Sequence, residues 1–215
     1  MLSDFNKYMK KIFAIILLFL TLSSSVLANK IFNSSLGYRF EIPKDYVKYT
    51  RSYLEENMQD ILLQSAESGL DRTEEFLLNQ MSKFEELVSL DQFVNKNNIA
   101  DSITFYLMEN IPTLTDEEIK KDRDEIEKIT AETNGFGDYE FTTFEVFTIS
   151  VDGKKGHRMI YNLPNQSNYL MSDTWLEFNN ENNLRIISIS AKNNTDFESF
   201  NSFIEEIDSS INFRQ

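Results

Sequence analysis

The chain has 215 residues, 41% of them hydrophobic and 26% charged, with 18 Phe, 9 Tyr, one Trp, one His and no Cys. That composition excludes collagen-like, low-complexity and disulfide-stapled chains, and it suffices for one packed core of ordinary size. A formal charge of −14, from 21 basic and 35 acidic residues, argues against nucleic acid and anionic membrane surfaces, which are bound through Lys and Arg.

Lys7, Lys10 and Lys11 precede an apolar run from Ile12 to Leu20, and a Ser-rich stretch then ends in Val26-Leu27-Ala28. This pattern predicts a secretory signal peptide over residues 1–28, cleaved between Ala28 and Asn29. The run is shorter than the roughly 20 apolar residues of a membrane span, so no stable membrane insertion is expected after cleavage. Met9 opens the string MKKIFAIILLFLTL and is an alternative start. With no Cys there is no lipid attachment site. The mature chain, residues 29–215, would carry 18 basic and 34 acidic residues, a net charge of −16. The expected location is the periplasm or the medium outside the cell.

In residues 38–42, Tyr38, Phe40 and Ile42 alternate with Arg39 and Glu41 before Pro43, which predicts a half-buried strand ended by a turn. Leu54, Met58, Ile61 and Leu62 recur at helical spacing and predict a helix over 52–68. A second helix is expected from Asp71, with Glu74 completing a capping-box spacing and Leu77, Met81, Phe84 and Val88 as its apolar stripe. Ser102 to Asn110 reads as a central strand. Thr115 with Glu118 is a capping box, Leu114 is placed to staple onto Ile119, and Asn134-Gly135 is a stop. Ile119, Ile126 and Ile129 would form that helix's buried stripe. From Tyr139 to Ile149 the period is two, and Asp152-Gly153 signals a hairpin. Returning strands follow at 159–163, 169–178 and through LRIISISA, with a loop expected at 164–168. Thr195, three residues before Glu198, is expected to cap a last helix that buries Phe200, Phe203, Ile204, Ile207 and Ile211. The result is an α+β fold, a mostly antiparallel sheet covered by helices, in a single domain over 29–215.

The succession GYRFEIPKDY, SITFYLMEN, VFTISVDGKKGHRMIYN, DTWLEFNNENNLRIISISA and FESFNSFIEEIDSSINF resembles the PsbP-like/DcrB-like family over residues 36–49 and 100–213. The resemblance implies an α/β/α sandwich and a non-catalytic accessory or binding role. The segment at about 50–97 departs from the family pattern as a helical insertion. The metal contacts and photosystem docking of plant members find no residue-level match.

Chemistry is sparsely signalled. His157 is the only histidine, no G-x-S-x-G string occurs, and there is no thiol, so His157 is expected to be an exposed or cross-strand residue. Zinc sites need several Cys or His. Asp116, Glu117, Glu118 and Asp122 lack the EF-hand pattern and read as a solvated helix face. The six glycines form no phosphate loop. Asn33, Asn165 and Asn193 lie in N-x-[ST] strings, and Trp175 reads as core. No catalytic residue, cofactor or metal is implied, and the chain is read as a non-enzyme.

Charge is the feature with functional content. Residues 52–91 hold ten acids and two bases, 115–132 eight and four, and 195–209 five and none. Acidity therefore resides on the predicted helices, and solubility alone would explain it. The functional expectation is an exported, non-enzymatic binding or accessory protein, in its sharper form an immunity-type partner of a basic protein. Its partner face would comprise Glu55, Glu56, Asp60, Glu74 and Glu75. The alternative is a secreted carboxylate-dependent hydrolase.

Overall fold

The computed structural model describes residues 30–67, 72–87, 89–109, 113–121, 123–133, 140–163, 166–179, 182–191 and 196–214. The elements run β1 (Lys30–Asn33), β2 (Tyr38–Ile42), β3 (Tyr46–Lys48), α1 (Arg51–Glu56), α2 (Met58–Glu67), α3 (Glu74–Glu86), β4 (Leu90–Asn95) and β5 (Asn98–Glu109). After these come α4 (Asp116–Lys121), α5 (Arg123–Thr133), β6 (Phe144–Val151), β7 (Lys154–Leu163), β8 (Gln166–Glu177), β9 (Asn182–Ala191), α6 (Phe197–Ser210) and β10 (Asn212–Phe213). Seven strands form one sheet in the order β3-β4-β5-β9-β8-β7-β6, and its neighbours pair antiparallel. A smaller sheet has the order β1-β2-β10.

Two-residue periodicity sorts the large sheet's side chains into two faces. On one face Phe93, Ile103, Phe105, Ile160, Leu176, Leu184 and Ile186 pack with Tyr38 and Phe40 of β2 and with Phe200, Ile204 and Ile207 of α6. Rings dominate this core: Tyr38 stacks on Phe105 at 4.6 Å, and Phe40 meets Phe93 edge-on at 5.2 Å. The other face is covered in two patches. Leu54, Met58, Ile61, Leu77 and Met81 of α1–α3 pack on Val94 and Ile99, while Ile126 of α5 packs on Phe144, Met159, Tyr161 and Met171. The architecture is the expected α+β sandwich.

Several expected elements form where the local chemistry demanded them. Thr115 and Glu118 close a reciprocal capping box, with the Thr115 N–H donating to Glu118 Oε2 at 2.7 Å and the Glu118 N–H donating to Thr115 Oγ1 at 3.3 Å. Asp152 and Gly153 have φ values of 45° and 78° and turn β6 into β7, the handedness a two-residue hairpin requires.

Other expectations are corrected. The helix expected over 52–68 breaks at Asn57, whose N–H and side chain both donate to the Tyr53 carbonyl and end α1. The next helix is capped by Thr73, whose Oγ1 accepts from the Phe76 N–H at 3.2 Å, and it ends at Glu86. Asp71 and Val88 lie outside the described residues. The last helix is capped by Asp196, which accepts from the Ser199 N–H at 2.7 Å, and Thr195 is outside the described residues. Ile129 is 52% exposed. The helix seats itself through Ile126, Thr130 and Ala131 instead, the Thr130 hydroxyl donating to the Ile126 carbonyl at 2.7 Å and lying 3.2 Å from Met159 Sδ. The 50–97 segment holds helices, but it also contains β4, hydrogen-bonded between β3 and β5. Tyr139 lies outside the described residues and 140–143 are not strand, so β6 begins at Phe144, while β8 begins at Gln166 inside the expected loop. Strands β1, β3 and β10 were not anticipated.

The interior carries charge in pairs. Asp91 of β4 accepts from Ser34, from the Tyr38 hydroxyl at 2.9 Å and from Lys48 at 2.9 Å. Arg158 of β7 is 3% exposed and pairs with Asp208 of α6 while its Nε donates to Thr174. Burial pushes the Asp208 carboxyl up, against the pull of Arg158.

Candidate functional site

On the sheet face toward α5, Tyr106, Arg185, Trp175, His157 and Thr148 stand in one register row across β5, β9, β8, β7 and β6. Arg185 grips the carboxylate of Asp173 with two bonds of 2.9 and 2.7 Å and lies over the Trp175 ring at 4.7 Å. On the other flank of Trp175, His157 stacks nearly parallel, at 6.3 Å and 9°. His157 is thus the cross-strand residue expected, but it is buried. Burial pushes its pKa down to about 4, so the ring is neutral at pH 7. Burial also pushes the Asp173 carboxyl up, with Arg185 opposing. This row is internally neutralised, and Trp175 is half-buried within it.

The five acids of the expected partner face, Glu55, Glu56, Asp60, Glu74 and Glu75, are all exposed, on three successive helices. Arg51 ties two of these helices together. Its guanidinium holds Glu85 of α3 at 2.7 Å, donates to Ser82 and reaches Glu55 at 4.0 Å. Glu55 is therefore partly compensated. Glu74 and Glu75 occupy the first turn of α3, where the helix dipole favours negative charge. Ala28 and Asn29 lie outside the described residues.

Two cavities open on this side of the sheet. A cavity of about 230 Å³ lies between α3 and strands β4, β5, β8 and β9, with a polar wall of Tyr49, Arg72, Gln80, Gln92, Ser102 and Tyr169. A second, of about 420 Å³, lies where the start of α4 approaches β6–β8 and includes Asp116, Glu117, Lys155 and Glu177. Glu118 is engaged in the cap, whose hydrogen bonds from Thr115 hold its carboxyl below the usual range. Asp122 is outside the described residues, as are Asn165 and Asn193, while Asn33 closes β1. Among the described residues no group of three or more His, Asp or Glu is gathered to hold a metal ion.

Comparison with protein-family models and with curated protein sequences gives no match. Comparison with solved structures does. The solution structure of cyanobacterial PsbP (CyanoP) from Synechocystis sp. PCC 6803 superposes with a TM-score of 0.51 at 10% identity, covering 88% of this chain and 95% of that one. The fold is PsbP-like. A protein of known crystal structure from Bacteroides thetaiotaomicron overlaps at a TM-score of 0.40 and 7% identity, over 87% of this chain and 49% of its own.

On this PsbP-like frame, sequence reasoning located the acidic helices but missed the smaller cavity. Its polar wall draws on residues as far apart as Tyr49 and Tyr169, brought together by the β5–β9 and β8–β9 pairings. One signal was available. Arg72 is one of only two bases, with Lys83, among residues 52–91, and a base in so acidic a stretch is a position to inspect for a role of its positive charge.

Proposed function

We propose that this chain is an exported, non-enzymatic binding or accessory protein that engages a basic protein partner through its helical acidic face. The observation that carries the reading is how the charge is distributed. Three largely buried carboxylates are each matched by a base, Asp91 with Lys48, Asp173 with Arg185 and Asp208 with Arg158. Glu56, Asp60, Glu74 and Glu75 instead point their charge into solvent. Exposed acids, none of these four in a charged pair among the described residues, are what electrostatic steering of a cationic partner needs. The PsbP-like fold and the leader-like residues 1–28 support an exported accessory role, and among the described residues no helix is long and apolar enough to cross a membrane.

The carboxylates that burial pushes up are occupied structurally. Asp173 and Asp208 hold arginines, and Asp101 accepts from the Ala191 N–H at 3.0 Å. None of the three lines either cavity described above, and for that reason binding is preferred over carboxylate-dependent hydrolysis.

The test is capture of a partner from the exported fraction of the native host at about 50 mM salt. A second bait carries Glu55→Gln, Glu56→Gln, Asp60→Asn, Glu74→Gln and Glu75→Gln. The reading expects a one-to-one complex whose affinity falls about tenfold or more both in the variant and at about 0.5 M salt. A partner held equally by both baits, or no stoichiometric partner, overturns it.

A further inference from the structure

We propose that the cavity between α3 and the sheet is a binding site for a small monocarboxylate with an apolar body. The proposal is independent of the acidic face, since none of the five acids lines this cavity.

Four observations converge on that ligand class. First, the cavity holds one cation, the guanidinium of Arg72, and no carboxylate among its lining residues. The charged pairs of the described residues leave Arg72 out, although the chain has 35 acids to offer. Its electrostatic neighbours are the phenols of Tyr49 and Tyr169, and burial draws its pKa below the usual arginine range. A half-buried guanidinium with no counter-charge among the described residues is a costly arrangement, and a bound carboxylate relieves it through two parallel N–H···O bonds.

Second, Gln92 lines the same cavity, and its side-chain oxygen is buried with no hydrogen-bond partner among the described residues. A buried amide left unpartnered is destabilising. Its amide N–H₂ is a donor of the kind a carboxylate in the cavity accepts from. The hydroxyls of Tyr49, Ser102 and Tyr169 add donors on that wall.

Third, much of the remaining lining is apolar, with Phe84 of α3 beside Gln80 and with Val94 and Ile189 flanking Ser102 in one row of the sheet, joined by Ile99. One positive charge among apolar and neutral polar lining residues suits a singly charged amphipathic ligand and disfavours a doubly charged phosphate. Fourth, the volume of about 230 Å³ is below the roughly 300–1,000 Å³ of sites for drug-sized molecules, which restricts the ligand to a short acyl or single-ring acid.

The site is also pre-organised. Its floor is sheet, and Arg72 directly precedes the Thr73 cap of α3, whose buried Leu77 and Met81 seat the helix on the same layer.

The experiment titrates the full chain by calorimetry and by amide NMR with sodium benzoate and sodium hexanoate, with benzamide and inorganic phosphate as comparison ligands. We expect saturable binding of a carboxylate with a Kd of about 0.1–1 mM, and shifts centred on Ser102, Gln92 and Tyr169. Arg72→Gln should weaken it about tenfold or more. Gln80→Glu adds negative charge to the wall from a helix surface position and should weaken it similarly, which keeps the test decisive should Arg72→Gln fail to fold. Benzamide should bind at least about tenfold more weakly than benzoate. The proposal is overturned by absence of carboxylate saturation up to about 10 mM, by equal affinity in wild type and both variants, by equal binding of benzamide, or by tighter binding of phosphate.

Discussion

His157 makes the stability of this protein depend on pH in a calculable way. Its ring is 4% exposed, stacked on Trp175, and its Nδ1 has no hydrogen-bond partner. Burial lowers its pKa from 6.5 to about 4. The folded chain therefore keeps a neutral ring at a pH where the unfolded chain has already bound a proton. The associated stability is fully present above pH 6.5, falls as the pH drops toward 4 and levels off below that. The whole gap corresponds to about 3.4 kcal/mol, of which about 2.5 kcal/mol is lost between pH 7.5 and pH 4.5. Urea unfolding of wild type and His157→Phe at those two pH values isolates the effect. Phe keeps a ring against Trp175 but binds no proton, and the carboxylates common to both chains cancel in the comparison. Wild type should lose about 2.5 kcal/mol more than the variant between the two pH values. If the two chains lose the same stability to within about 0.5 kcal/mol, His157 is not held neutral by burial and the reasoning fails.

Two further predictions concern packing. Gly156 lies where β7 and β8 approach so closely that a Cβ would sit 1.9 Å from the Trp175 carbonyl oxygen. Gly156→Ala must push the strands apart and should destabilise the protein by about 2–3 kcal/mol in chemical denaturation, and a loss under about 0.5 kcal/mol would mean the strands separate freely. Asp208→Ala leaves the buried Arg158 guanidinium without its counter-charge and should cost about 3–5 kcal/mol, whereas Arg158→Met combined with Asp208→Leu should be close to neutral or stabilising. Equal damage from the single and the double replacement would show that shape rather than charge governs this contact.

What was readable in the sequence was what short-range chemistry determines. The Thr115–Glu118 cap and the Asp152-Gly153 turn are decided within a few residues, and β2 announces itself by strict alternation. Strand β4 did not, because its sequence LDQFVN turns a charged residue, Asp91, toward the core beside Phe93. Asp91 is acceptable there only because Ser34, Tyr38 and Lys48 meet it from other parts of the chain. The seat of α5 was misjudged for a related reason, since Thr130 and Ala131 are small and allow the helix to approach closely while the larger Ile129 is left outside. Arg72 could not be assigned to a cavity from spacing, because the cavity is created by strand pairings across the whole described chain.

The strand order has a kinetic meaning. Strands β6 to β9 pair each with the next in sequence, and so do β3 to β5, whereas the joint between the two groups, β5 with β9, sets Ser102 against Ile189 and Glu109 against Asn182. Each group can assemble from nearby contacts, but the joint must first close a long loop of chain, and loop closure slows folding more than it lowers stability. The smaller cavity has walls from both groups, with Gln92 and Ser102 on one side of the joint and Tyr169 and Ile189 on the other. It therefore comes into being only when the two groups meet, so any ligand it holds is bound by the finished sheet and acts as a clasp on its slowest seam.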